Sequence, residues 1–244
     1  MTALAERLLR KYFGSSLHPY RVFENEVGRR LRPDHTLLDA GCGRGAPVLT
    51  KYVGRAKRLI GVDLVDFREN VSGVELRKGD LSHIDLENGT VDIVMSRSVM
   101  EHVQEPQSVY AEIHRVLRPG GHFIFLTPNL WDYASLIAKV VPNRLHPAIV
   151  AKTEGRAMED VFPVCYLTNT RRAVVRWANL TGFEIVTFDY LGQYPGYFMF
   201  NGVLFMLATA YEKTISRFDA LRVLRGWIFV VLRKPEAIPP EPRA

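Results

Sequence analysis

Leu37-Leu38-Asp39-Ala40-Gly41-Cys42-Gly43-Arg44-Gly45 join an apolar strand to a glycine-rich turn with an acid just ahead of it. Gly41 and Gly43 can adopt backbone angles closed to other residues and, lacking a Cβ, let a ligand rest directly on the main chain. The pattern reads as a nucleoside-cofactor site. Asp39 bears on which cofactor: a pyrophosphate at a helix N-terminus gains nothing from a neighbouring carboxylate, whereas a ligand with ammonium and sulfonium charges does. Further acids stand at later strand ends. Gly61-Val62-Asp63 places a carboxylate where a ribose diol can donate two charge-assisted hydrogen bonds. Gly79-Asp80-Leu81 offers an acceptor to an adenine amino group, with Leu81 to pack on the ring. Glu101 and His102 follow a fourth apolar run, and an imidazole there can take up a proton near neutral pH.

Gly41-x-Gly43-x-x-Ala46 also satisfies the relaxed dinucleotide fingerprint of nicotinamide and flavin enzymes, and Asp63 would serve either cofactor class. Few dinucleotide folds need the third acid, Asp80. Four stretches in order carry a more specific likeness: Leu37 to Gly45; Gly61-Val62-Asp63; Val91-Asp92-Ile93-Val94-Met95-Ser96 running into Val99-Met100-Glu101-His102-Val103; and Arg115-Val116-Leu117-Arg118-Pro119-Gly120-Gly121. With them the chain resembles class I S-adenosylmethionine-dependent methyltransferases of the small-molecule type, related to those of ubiquinone and menaquinone biosynthesis. The resemblance spans roughly residues 18–130. It implies an α/β, Rossmann-like, doubly wound and mostly parallel seven-stranded sheet with an antiparallel last strand and helical insertions around the acceptor site. It also implies S-adenosylmethionine as the cofactor, with Asp39, Gly41, Cys42, Gly43, Asp63, Leu64, Asp80, Leu81 and Ser96 as the residues that hold it. His102 is the best-placed general base, with Glu101 beside it. The alternative role for that pair is to hold helix and loop in register.

Elements that would position these residues can be read from periodicity. A helix is predicted over 20–31, with Val22, Phe23, Val27 and Leu31 at helical spacing, and another over 106–117. Strands are predicted over 36–40, 58–64, 74–78, 91–96, 122–127, 183–190 and 226–234, with a further helix from about Pro47, where proline suits a first turn. Thr168-Asn169-Thr170 caps a helix to Leu180, and Gly182 ends it. Alternation of this kind means a parallel sheet.

A chain of 244 residues, 47% hydrophobic, is long enough for one α/β core with a substrate-covering insertion. One domain is expected over 1–234: a cofactor half at about 18–130, an acceptor cap at about 130–166 and an apolar insertion at about 192–225. The proline-rich tail, 235–244, reads as disordered. Cys42 and Cys165 stand far apart, so no disulfide framework or metal ligand set is written, and a reducing, cytoplasmic setting is expected. Residues 1–14 lack the apolar core and cleavage site of a secretory signal. The formal charge of +6 comes from basic residues spread along the chain rather than interleaved with aromatics. That argues against a nucleic-acid partner and makes anionic lipid the sharper alternative.

Within the cap, His146, Arg156, Asp160 and Tyr166 are candidates to contact the methyl acceptor. From Tyr190 to Tyr211 no residue is charged, and Tyr197 to Ala208 would be apolar around a whole helix. Gln193, Pro195, Gly196, Asn201 and Gly202 interrupt it, which argues against a membrane span. With Lys213, Arg217, Arg222 and Arg225 just beyond, segment 197–225 could rest on a membrane surface; the other readings are a buried lid or a homodimer contact. The expected reaction is methylation of a small, apolar or lipid-linked acceptor at oxygen or carbon. Two rivals stay open: an RNA methyltransferase acting through the basic surface, and a cofactor-binding scaffold without turnover. Against the first, Arg97-Ser98 stand where a base-amino methylating motif would be.

Overall fold

The computed structural model describes residues 2–14, 18–67, 70–140 and 162–236. In chain order these form α1 (Ala3–Tyr12), α2 (Pro19–Arg30), β1 (Thr36–Ala40), β2 (Arg58–Asp63), β3 (Glu75–Lys78), β4 (Val91–Arg97), α3 (Pro106–Val116), β5 (Leu117–Pro128), α4 (Tyr133–Val140), α5 (Arg171–Thr181), β6 (Glu184–Leu191), α6 (Gly202–Arg217) and β7 (Trp227–Arg233). The strands make one seven-stranded sheet in the order β3-β2-β1-β4-β5-β7-β6. Strands β1 to β5 pair in parallel, and β7 runs antiparallel to both β5 and β6.

Central strands β1, β2 and β4 are buried along nearly their whole length, as strands covered on both faces must be, and their continuous apolar runs follow from that. One layer packs Val109, Tyr110, Ile113 and Val116 of α3 and Val174 and Ala178 of α5 on one face. The other face is covered by Phe23 and Val27 of α2 with Leu49 and Tyr52. Because β1 and β4 are neighbours while the chain between them runs out to β3, a crevice opens at their carboxyl ends. Ligands bind at such a switch point in doubly wound sheets.

The fourth motif proves to be scaffolding. Arg115 bonds Glu112 and the carbonyls of Ile84 and Leu86. A Cβ on Gly121 would come within 2.9 Å of the Arg118 carbonyl and 3.1 Å of the Asp92 carbonyl. Two expectations need correction. No α-helix follows Pro47; a single 3-10 turn, Leu49–Tyr52, buries Leu49 and Tyr52 before Gly54 (φ +77°) turns the chain toward β2. The apolar run also does not form one helix from Tyr197: Asn201 accepts from the amides of Val203 and Leu204 and starts α6 there, after a short turn over Gly196–Phe198. The tail from 237 on lies outside the described residues.

Candidate cofactor and acceptor site

A cavity of about 340 Å³ opens at the ends of β1 and β4, with Asp39, the Gly41 to Gly45 turn, Pro47, Val48 and Arg97 in its wall. The turn is built from two kinds of glycine. At Gly41 (φ +85°) a side chain would strike Val99 before any ligand. A substituent at Gly43 (φ +71°) or Gly45 meets no protein atom within 4 Å, so these two form the open cradle. The Gly43 amide donates to Asp63 Oδ2 at 2.7 Å and the Val65 amide to Oδ1 at 3.1 Å, which ties the turn to the end of β2.

Asp39 is 3% exposed, and its Oδ2 has no hydrogen-bond partner. Burial pushes its carboxyl up to about 7, the Arg97 guanidinium pulls it down, and Asp63 adds to the rise. Arg97, which sequence reasoning left out of the site, is held by Glu24 at 2.9 Å and lies over the Tyr20 ring at 4.3 Å. Its arrival beside Asp39 depends on the pairing of β1 with β4, and nothing in residue spacing announces that. One wall of the cavity thus carries an acid short of donors and a cation, the complement of a zwitterionic amino-acid group.

The remaining predicted residues divide. Cys42 is buried with its thiol over Gly61, where a Cβ would come within 2.7 Å of the sulfur, and burial pushes the thiol well above its usual range. Leu64 is exposed at the end of β2; Asp80 accepts from the Ser82 amide and hydroxyl at 2.8 Å, and Leu81 is buried beneath. The Ser96 hydroxyl is fully buried and donates to the Ala40 carbonyl at 2.8 Å, so its side chain braces β4 on β1. Glu101 is buried in a short turn, Met100–His102, and accepts from the Thr127 hydroxyl at 2.9 Å, while its carbonyl accepts from the amides of Cys165 and Tyr166. That network makes Glu101 a link between β4, β5 and the 165–169 stretch. His102 Nδ1 donates to the Pro163 carbonyl at 2.9 Å, and Nε2 stands 3.9 Å from Glu101 Oε1. Tyr166 (φ +53°) is half-buried, with burial raising its phenol and its hydroxyl engaging Ser135. His146, Arg156 and Asp160 lie outside the described residues.

Since the open positions belong to Gly43 and Gly45, the informative substitution is Gly45→Val, at a position without a positive φ. It is expected to leave the melting profile unchanged and to weaken cofactor binding at least tenfold; calorimetry on a variant of intact fold checks this.

Residues 38–125 match the family described as "Methyltransferase domain". A probable S-adenosylmethionine-dependent methyltransferase of Mycolicibacterium smegmatis is 36% identical over 100 residues, 38% of this chain and 38% of that protein. The ubiquinone biosynthesis O-methyltransferase of Acinetobacter baumannii is 36% identical over 104 residues, 38% of this chain and 44% of that one. The matched stretch therefore spans less than half the length of these curated relatives. Among solved structures, geranyl diphosphate C-methyltransferase of Streptomyces coelicolor, in complex with S-adenosyl-L-homocysteine, superposes with a TM-score of 0.55 at 17% identity, over 87% of this chain and 74% of that one. Sheet order and antiparallel β7 agree with these matches: residues 38–125 are similar to a methyltransferase domain, and the sheet has the Rossmann-like fold of the solved S-adenosylmethionine-dependent methyltransferases.

Proposed function

We propose that the protein transfers a methyl group from S-adenosylmethionine to a small, apolar or lipid-linked acceptor, at oxygen or carbon, and releases S-adenosylhomocysteine. The observation that carries this reading is the unpartnered Asp39 Oδ2 in the wall that also holds Arg97. Asp39 meets a cationic amine, Arg97 a carboxylate, and the Gly43–Gly45 cradle leaves room for the nucleoside main body. Asp63 accepts from the ribose diol, and Leu64, Asp80 and Leu81 flank the base. Bound there, the cofactor supplies an electrophilic methyl on sulfur. The chain's part is to hold the acceptor atom in line, exclude water and remove a proton. His102, with Nδ1 fixed on the Pro163 carbonyl, keeps the Nε2 lone pair to receive that proton from an acceptor hydroxyl.

A membrane-facing role at the cytoplasmic side fits the surface. Among the described residues no helix is long and apolar enough to cross a membrane. The outer face of α6 nonetheless exposes Val203 (58%), Met206 and Leu207 (59%), Phe200 just ahead of the helix is 69% exposed, and α1 packs alongside with Leu4 exposed. Arg10, Lys11 and Arg217 flank this face. Arg225 does not belong to that flank, because it donates to the carbonyls of Tyr190, Ile215 and Ser216. The protein is expected to sediment with anionic vesicles at low salt and to be partly released at high salt. Phe200→Ser with Leu207→Ser should abolish sedimentation without changing stability. No vesicle binding by the wild type, or self-association that covers this face, would overturn the membrane reading.

The test of the reaction is incubation of the protein with methyl-labelled S-adenosylmethionine and fractionated extract of the source cell. Label in lipid or apolar metabolite is expected; label in RNA alone, or in no fraction, would contradict it.

A further inference from the structure

Among the described residues, four of the buried polar side-chain atoms that lack partners belong to three residues, Asp132, Tyr133 and Glu212. Helix α6 turns Phe205, Thr209, Glu212 and Ile215 inward. Glu212 is 1% exposed, and neither carboxylate oxygen has a well-formed hydrogen bond, although the Gln193 backbone amide lies near enough to pull its carboxyl down. Facing it is Asp132, 2% exposed, in the loop after β5. Its Oδ2 accepts from the Ala134 amide at 3.1 Å and the Gln193 side chain at 3.2 Å, but Oδ1 has no partner. The buried Tyr133 hydroxyl is likewise unpartnered. An unpaired carboxylate removed from water costs several kcal/mol, and native proteins keep such groups mainly where something else completes them.

We infer that the Asp132–Glu212 pair, with the rings of Tyr133 and Tyr211 beside it, receives a protonated amine carried by the methyl acceptor. This rests on the methyltransferase reading above and adds a chemical requirement to the acceptor. The pair sits at the carboxyl edge of the sheet, the side on which the cofactor cavity opens, since Asp132 follows β5 and Gln193 follows β6. Tyr166, the predicted acceptor residue that the structure describes, feels the charge of both Asp132 and Glu101.

Charge and geometry favour an ammonium. Burial pushes Glu212 up to about 8 and Asp132 up to about 6, so near neutral pH the pair holds one proton and one negative charge. A monocation balances it, and an ammonium brings donors to the unpartnered oxygens that stay unprotonated. Among the described residues no cation pairs with it: Lys213, whose charge reaches Glu212, points to the Tyr12 carbonyl and lies over the Phe13 ring at 4.5 Å. The other titratable neighbours are Tyr133, Tyr166 and Tyr211, and the Gln193 backbone amide eases Glu212 slightly. Tyr133 meets Tyr211 edge-on at 5.6 Å and stacks on Phe198 at 6.0 Å, a set of rings whose faces attract cations. A divalent metal fits less well, because among the described residues no three His, Cys, Asp or Glu side chains converge to hold one.

The test compares hexylammonium with hexan-1-ol, matched in apolar chain and different in charge, by calorimetry at pH 7 on protein with and without saturating S-adenosylhomocysteine. Hexylammonium is expected to bind at least tenfold more tightly than the alcohol. Glu212→Gln, which keeps the shape of the protonated acid, and Asp132→Asn should each bring the two ligands to equal affinity, while S-adenosylhomocysteine binding and the melting profile stay as in the wild type. Equal affinities in the wild type, or an ammonium preference that survives both substitutions, would overturn the inference. Failure of S-adenosylhomocysteine to bind the wild type would instead strike the methyltransferase reading, and the titration without nucleoside still reads the amine site separately.

Discussion

Asp63→Ala is expected to weaken S-adenosylmethionine binding by roughly 3 kcal/mol, about two orders of magnitude in Kd. Two causes add. The carboxylate would accept both ribose hydroxyls, and a charge-assisted hydrogen bond contributes roughly 1.5–3 kcal/mol. In the absence of ligand the same carboxylate already holds the Gly43 and Val65 amides at 2.7 and 3.1 Å, so its loss also frees the turn on which the ligand lies. Calorimetry with S-adenosylhomocysteine checks the size. Unchanged affinity would mean that β2 does not end against the ribose.

The second large effect concerns α6. Phe205 is fully buried, while Phe200, five residues earlier, is 69% exposed. Phe205→Ser should destabilise the protein by about 3–5 kcal/mol through lost apolar burial and the cavity left behind, whereas Phe200→Ser should stay within about 0.5 kcal/mol of the wild type. Urea titration measures both. A cost below about 1 kcal/mol for Phe205→Ser would show that α6 packs only loosely on the rest of the chain. The contrast separates the two roles of one apolar run: an inward stripe that attaches the helix, and an outward one available to lipid.

Much of this molecule is legible in its sequence, for identifiable reasons. Strands β1, β2 and β4 are buried on both faces, so their residues are mostly apolar, and β1 and β2 close on informative acids, Asp39 before the turn and Asp63 as the last residue of β2. Thr170 and Gly182 mark the ends of α5 as a cap and an αL residue should. What depends on convergence in space is not legible. Arg97 joins Asp39 only because β4 lies against β1, and Asp132 faces Glu212 across a long stretch of intervening chain. Spacing alone also misjudges Gly41, whose lack of a Cβ serves Val99 first. The expected helix at Pro47 is replaced by the single 3-10 turn Leu49–Tyr52, whose buried Leu49 and Tyr52 carry the apolar signal that periodicity reads as a longer helix.

The most direct measurement is a calorimetric titration of the wild-type protein with S-adenosylmethionine and with NAD between pH 5.5 and 8. Asp39, held up to about 7 mainly by burial, is protonated in the free protein below that pH. A ligand ammonium beside it favours the carboxylate, so binding should release a proton at pH 6, and affinity should rise with pH and level off above about 7. Asp39→Asn should remove that pH dependence. Tight S-adenosylmethionine binding with this proton release, and no binding of NAD, is the predicted result; tight NAD binding, or S-adenosylmethionine affinity that is flat across this range, would contradict the account.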